Sequence, residues 1–230
     1  MRPAAVIFDM DGLLLDTERI SCETMIAAMA ALGFVMTAAD YLPLIGLPKD
    51  DGTDYFRQRF GPGLDYAAMR TIQTRIKTER FGEARPLKPG VRAVIGVVKA
   101  LGLPCAVATS SHRANTESHL QAMGLWTCMD AVLTRDDVAR GKPSPDLYLA
   151  AAAALGQAPS DCLALEDSYN GVRAAHAAGV PVIMVPDLLP ATDEMRALCR
   201  AIAPDLDTVS GWLHASIAPP AHHRPAMSSD

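Results

Sequence analysis

At three separate places in the 230-residue chain, acidic and hydroxyl side chains follow directly behind a short apolar run. Asp9 and Asp11 follow Ala4-Ala5-Val6-Ile7-Phe8. Thr109, Ser110 and Ser111 follow Cys105 to Ala108, and Glu166, Asp167 and Ser168 follow Cys162 to Leu165. A fourth segment, Gly141-Lys142-Pro143-Ser144-Pro145-Asp146, places a lysine in a loop that leads into a helix, with Ser144 expected as its N-cap and Pro145 as its first helical residue. If the runs are neighbouring strands, four carboxylates converge, and two unit charges ~4 Å apart repel by about 4 kcal/mol at an effective dielectric near ~20. Such a cluster requires positive charge. Hard oxygen donors of this kind suit magnesium, which keeps several waters and commonly also touches a phosphate. The Lys142 amine would reach the same crevice.

These residues converge only if a scaffold aligns them. Apolar runs at Ala4 to Phe8, Cys105 to Ala108, Ala131 to Leu133, Cys162 to Leu165 and Val182 to Val185 read as buried strands. Helical segments ending near Gly124, Gly156 and Gly179 separate the later ones, which is a βαβ series. The expected fold class is therefore α/β, a Rossmann-like parallel sheet covered on both faces, and ligands of such sheets bind beyond the carboxyl ends of the strands. The first and second strands are separated by a stretch of different texture. Asp16-Thr17 opens a helical pattern closed by Gly33, and short helical pieces follow between Pro43, Gly46, Pro48, Gly52, Gly61, Pro62 and Gly63. The expected division is a core of residues 1–15 and 86–213, an inserted helical cap of residues 16–85, and a flexible tail of residues 214–230 containing His222 and His223.

Composition narrows the partners. Hydrophobic residues make up 50% and charged residues 20%, and the net charge is −5 without a basic cluster, so neither nucleic acid nor an anionic membrane surface is expected. The longest wholly apolar run, Leu147 to Leu155, is too short to cross a bilayer, which needs ~20 residues. Asp9 and Asp11 interrupt the N-terminal apolar stretch before it could serve as a signal peptide, so a cytoplasmic location is expected. Five dispersed cysteines, with no Cys-x-x-Cys pair, read as small buried side chains rather than as a disulfide framework or zinc site.

Four segments together resemble the motifs of haloacid dehalogenase-like phosphatases, in order and in spacing: Phe8-Asp9-Met10-Asp11-Gly12, Ala108-Thr109-Ser110-Ser111, Gly141-Lys142-Pro143 and Leu165-Glu166-Asp167-Ser168 with Asn170-Gly171. The resemblance extends over roughly residues 4–190. It implies that Asp9 is the nucleophile that forms an aspartyl-phosphate and Asp11 the general acid and base. Thr109 and the Ser110 amide would bind a phosphoryl oxygen, and Lys142 would offset charge on Asp9 and the transferring group. Magnesium would be held by Asp9, the Asp11 carbonyl and Asp167, with Glu166 as a further contact. Ser111, His112 and Arg113 would line the substrate side.

In that family the cap selects the leaving group. Gly46-Leu47-Pro48-Lys49 resembles a cap loop carrying a basic substrate contact, which makes Lys49 the leading specificity residue, whereas Arg70, Arg75, Lys77 and Arg80 read as one solvated helix face. The expected substrate is a small phosphorylated metabolite, a sugar phosphate or a nucleotide-like monophosphate. Asp11 argues against a dehalogenase or a phosphonatase. A phosphomutase of the β-phosphoglucomutase type shares all four motifs and stays open. A phospho-aspartate receiver module is the non-enzyme alternative, but such modules lack the helical insertion and would hold their phosphate rather than release it. The sequence specifies no oligomeric state.

Overall fold

A computed structural model describes residues 2–45, 49–82 and 85–215. In chain order the elements are β1 (Ala5–Phe8), α1 (Thr17–Ala31), α2 (Ala38–Tyr41), α3 (Lys49–Phe60), α4 (Tyr66–Phe81), α5 (Val91–Ala100), β2 (Cys105–Ala108), α6 (Arg113–Ala122) and β3 (Ala131–Leu133). There follow α7 (Asp146–Ala154), β4 (Cys162–Glu166), α8 (Tyr169–Ala177), β5 (Val182–Met184), α9 (Asp193–Leu198), β6 (Ala201–Ile202) and α10 (Leu206–Ala215). All six strands are parallel, in the order β3-β2-β1-β4-β5-β6. The expected α/β parallel sheet is present. It carries one strand more than the five read from the sequence, because β6 is two residues long and too short to leave a periodic signal.

Alternation along the strands sorts the core into two layers. Val6, Phe8, Val107, Leu163, Leu165 and Ile183 face one side, where α5, α6 and α10 cover them with Val94, Val98, Leu120 and Val209. Ala5, Ile7, Ala106, Ala108, Ala164 and Met184 face the other, against Leu147, Tyr148 and Ala151 of α7 and Val172 and Ala175 of α8. The second face is rich in alanine, so its helices approach the sheet closely. That closeness is what brings residues of α7 and its preceding loop up to the strand ends. Two boundaries differ from the sequence reading. Pro145 is the N-cap of α7 while the Ser144 hydroxyl donates to the Asp146 carboxylate at 2.7 Å. Helix α10 also runs through His214 to Ala215, leaving residues 216–230, with His222 and His223, outside the described residues.

Helices α1 to α4 pack around a core of their own. Met25, Met29, Phe56 and Met69 are buried there, with Ile72 and Ile76, spaced i, i+3 and i+7 with Met69, packed beside them. Phe56 stacks on Phe60 with ring centroids 5.7 Å apart and lies 5.3 Å from Tyr66. The two connections to the sheet run antiparallel: the Asp16 amide donates to the Pro86 carbonyl at 2.8 Å, and the Lys88 amide to the Leu14 carbonyl at 3.0 Å. Among the described residues no helix is long and apolar enough to cross a membrane. Phe56→Ala should cost about 3–5 kcal/mol of stability, read as a lower urea midpoint. An unchanged midpoint would show that the helical insertion does not depend on this cluster.

Candidate active site

The ladder hydrogen bonds of the sheet continue one residue past the strands. The Asp9 amide donates to the Leu165 carbonyl at 3.0 Å, and the Thr109 amide to the Leu133 carbonyl at 3.0 Å. The first polar residue behind β1 and behind β2 is thus held by the sheet rather than by a loose loop. β1 lies between β2 and β4, where the strand order reverses, the position at which parallel sheets open a crevice. The chain then turns sharply. Gly12 has φ +90°, its amide donates to the Leu15 carbonyl at 2.9 Å, and a Cβ added there would sit 2.2 Å from Asp167 Oδ2. Glycine serves both needs, the left-handed backbone and the approach of a carboxylate to bare main chain.

Within the crevice Lys142 is almost wholly enclosed, with 4% of its side chain exposed. Its Nζ donates to Asp9 Oδ1 at 2.5 Å and to Glu166 Oε1, and lies 5.1 Å from the centre of the Tyr148 ring. Burial disfavours the ammonium, but the Asp9 and Glu166 carboxylates outweigh it and hold the Lys142 pKa above the ordinary lysine value. Glu166 has no exposed surface. Tyr148 Oη donates to its Oε1 at 2.9 Å. Its Oε2 accepts from the amides of Asp167 and Ser168, both at 3.1 Å, and from Ser168 Oγ at 3.0 Å. Five donors fill this carboxylate. Gly171 packs so tightly on it that an added Cβ would lie 1.7 Å from Oε1.

Asp11 lies on the opposite wall. Its Oδ2 accepts from Ser111 Oγ at 2.7 Å and from Thr109 Oγ1 at 3.3 Å. Thr109 Oγ1 in turn accepts from the Ser111 amide at 3.0 Å, so its single proton is directed to Asp11 over a long 3.3 Å contact and can be redirected to a ligand oxygen. Ser110 is exposed at the same edge. His112 and Arg113 depart from expectation. His112 Nδ1 is 2.7 Å from Asp136 Oδ1, while the Arg113 guanidinium donates to Asp137 Oδ2 at 2.6 Å and to the Val132 carbonyl at 3.0 Å. Both are tied to the acidic turn behind β3 because that turn offers two carboxylates at the start of α6.

One oxygen each of Asp9, Glu166 and Asp167 lies within 4.8 Å of the others, and all three residues are buried. Burial pushes the Asp9 carboxyl well above the usual carboxylate range; Lys142 pulls it back, while Glu166 and Asp11 add to the rise. Asp167 is likewise pushed up by burial and by Asp9, Glu166, Glu18 and Asp187. One ammonium does not balance this set. Asp167 Oδ1 is buried and accepts no hydrogen bond, an arrangement that costs free energy unless a cation takes the lone pairs. An oxygen-seeking divalent ion fits Asp9 and Asp167. Glu166 is already filled by protein donors, so its evident task is to fix Lys142 and the turn behind β4.

Residues to which the sequence reading assigns no role complete the site. Tyr148 and Ser168 anchor Glu166; Tyr148 was hidden in an alanine-rich helix whose apolar run reads as plain core. Across the crevice Glu18 of α1 accepts from Tyr41 Oη at 2.7 Å, with its pKa raised by burial. Lys49 opens α3, but its side chain, like residues 46–48, lies outside the described residues. Gly171→Ala should displace Glu166 and lower stability by about 1–3 kcal/mol, seen as a reduced thermal midpoint. An unshifted midpoint would mean that the carboxylate yields freely and does not fix Lys142.

Comparison with known proteins agrees with this geometry. The sequence profile of haloacid dehalogenase-like hydrolases matches residues 6–185. Hexitol phosphatase B of Escherichia coli is 38% identical over 186 residues, spanning 79% of this chain and 83% of that protein. The plasmid-borne CbbY protein of Cupriavidus necator is 37% identical over 206 residues, spanning 82% and 80%. Among solved structures, CbbY from Rhodobacter sphaeroides in complex with phosphate superposes with a TM-score of 0.71 at 28% identity, covering 89% of this chain and 95% of that one. A hydrolase of the family from Deinococcus radiodurans, with bound phosphate and sodium, gives 0.79 at 26% identity, covering 95% and 98%. The chain belongs to the haloacid dehalogenase-like hydrolases and is a phosphatase of that family.

Proposed function

We propose that the chain hydrolyses the phosphate monoester of a small phosphorylated metabolite through an aspartyl-phosphate on Asp9, with magnesium as the cation held by Asp9, Asp167 and the Asp11 carbonyl. The observation that carries the reading is the pairing of a lysine-anchored Asp9 with a second carboxyl, Asp11, on the facing wall beside Thr109. Magnesium, when bound, supplies charge neutralisation between the carboxylates and an incoming phosphate. The chain's own residues do the rest. Asp9 attacks phosphorus with the oxygen not held by Lys142, and the bond to the leaving alkoxide breaks. Asp11 delivers a proton to that alkoxide and later takes one from the water that hydrolyses the acyl phosphate. Thr109 Oγ1, oriented by the Ser111 amide, donates to a phosphoryl oxygen, with the Ser110 amide beside it.

Lys142 keeps its charge throughout, because the two carboxylates raise its pKa, and it offsets the charge that gathers on the transferring group. Helices α1 to α4 are proposed as the cap that closes over the leaving group. Relatives support a phosphorylated sugar or polyol as the class of substrate, being named for hexitol phosphate hydrolysis or solved with xylulose-(1,5)bisphosphate. Asp9→Asn should abolish phosphate release while the chain stays folded, as read by its circular dichroism, since the amide cannot attack. Asp11→Asn should slow turnover by about 10²- to 10⁴-fold. Chelation should stop release, and added magnesium should restore it. Retained activity in Asp9→Asn overturns the mechanism, and conversion of a monophosphate to its isomeric monophosphate without net release of free phosphate would assign a mutase.

A further inference from the structure

Lys142 comes to Asp9 from the edge of the sheet. The chain leaves β3, the outermost strand, and before it enters α7 it delivers the lysine ammonium behind β1, two strands further in. No ladder bond guides that course: among the described residues, the main-chain groups of Val138, Ala139 and Arg140 make no hydrogen bond to other main chain. One side chain takes over. Arg135 Nη1 donates to the Val138 carbonyl at 2.8 Å, and Nη2 to the Ala139 carbonyl at 3.3 Å. The same side chain packs against bare Gly141, where an added Cβ would meet its Cδ at 3.0 Å and its Nε at 3.1 Å. On the other side of Lys142 the Ser144 amide donates to the Gly141 carbonyl at 2.9 Å, so the residue before the lysine is gripped twice. Arg135 makes no ion pair among the described residues, although Asp136 and Asp137 follow it directly. Those carboxylates are taken by His112 and Arg113.

Arg135 is also tied to the facing wall. Its amide donates to the Ser111 carbonyl at 3.0 Å, and Ser111 Oγ donates to Asp11 at 2.7 Å. A continuous run of contacts therefore leads from the carboxyl on one wall, through Ser111 and Arg135, to the lysine that holds Asp9 on the other. A planar guanidinium with directed donors suits such a bridge, whereas a lysine ammonium is a single point on a flexible stem. We propose that Arg135 is a positioning residue: it fixes the loop that brings Lys142 to Asp9, and it refers that loop to the turn that holds Ser111 beside Asp11. The inference rests on the phosphatase reading of the crevice. Arg135 acts through the place of Lys142 and not on the substrate.

Two substitutions separate position from charge, with p-nitrophenyl phosphate and saturating magnesium as the assay. Arg135→Met should lower kcat about 10- to 100-fold while KM stays within about threefold, the mark of a displaced catalytic group rather than a lost substrate contact. Arg135→Lys keeps the charge but not the fork, and should lose nearly as much. A second readout needs neither metal nor turnover. The chain has five lysines, Lys49, Lys77, Lys88, Lys99 and Lys142. With their Nζ isotopically labelled, NMR identifies the Lys142 ammonium by its through-space contact with the Tyr148 ring and reads how fast its protons exchange with water. Either substitution should speed that exchange by about tenfold or more. Unchanged kcat and unchanged exchange in Arg135→Met overturn the inference, even if the thermal midpoint falls. So does an Arg135→Lys chain that matches the unmodified one, or a rise in KM alone. Absence of phosphate release by the unmodified chain counts against the hydrolase reading, and the exchange rates still decide whether Arg135 places Lys142.

Discussion

The Lys142 ammonium is shared between Asp9 and Glu166 in a space closed to water, and much of the architecture exists to hold that three-centre contact in place. A buried charge pair gains little over a packed apolar one, but breaking it by removing a partner leaves an uncompensated charge at a cost of about 3–5 kcal/mol. The contact is therefore rigid. Each member is fixed from a different direction: Asp9 by the ladder bond to β4, Glu166 by Tyr148 and the Ser168 turn, and Lys142 by the loop leading into α7. Because the ammonium takes one oxygen of Asp9, only the other is left for chemistry.

Around that fixed centre the charge is incomplete, and the imbalance gives the site its direction. Asp167 brings a third buried carboxylate with an oxygen that accepts nothing from the protein, while Asp11 is turned to the hydroxyls on the facing wall. One side of the crevice thus favours a cation, and the other presents a carboxylate hydrogen-bonded to hydroxyls. In the helical insertion Lys77 is held by Ser21 and Arg70 by Gln73, with no carboxylate within 4.0 Å of either among the described residues.

Much of this was legible in the sequence wherever a local rule was enough. Strands β1, β2 and β4 are continuous apolar runs that end in polar residues, so their edge and its acids could be read directly. The two-residue β6 offered no run to read. The ties of His112 and Arg113 to Asp136 and Asp137 leave no local signal, because those carboxylates lie some twenty residues away and only the β2–β3 register brings them close. The sequence does not show that Tyr148 and the turn behind β4 supply Glu166 with donors, which only the packing of α7 on the sheet reveals. Arg70 and Lys77 did carry a usable signal: with Gln73 they form an i, i+3, i+7 stripe beside Met69, Ile72 and Ile76, whereas Arg75 and Arg80 fall off it.

The paired connections at Leu14 to Asp16 and Pro86 to Lys88 bear on how such a chain can be assembled. Their mutual hydrogen bonds bring the two ends of the insertion side by side, as if they were the stems of a hairpin. Closing a loop costs entropy that grows only slowly with its length, and here the closure is made locally by the stems. Whatever lies between them is then a side branch to the sheet. It can lengthen, shorten or be exchanged while the strand order, the Asp9 ladder bond and the crevice behind it keep their places, so the sheet edge and the insertion can change independently within one continuous polypeptide.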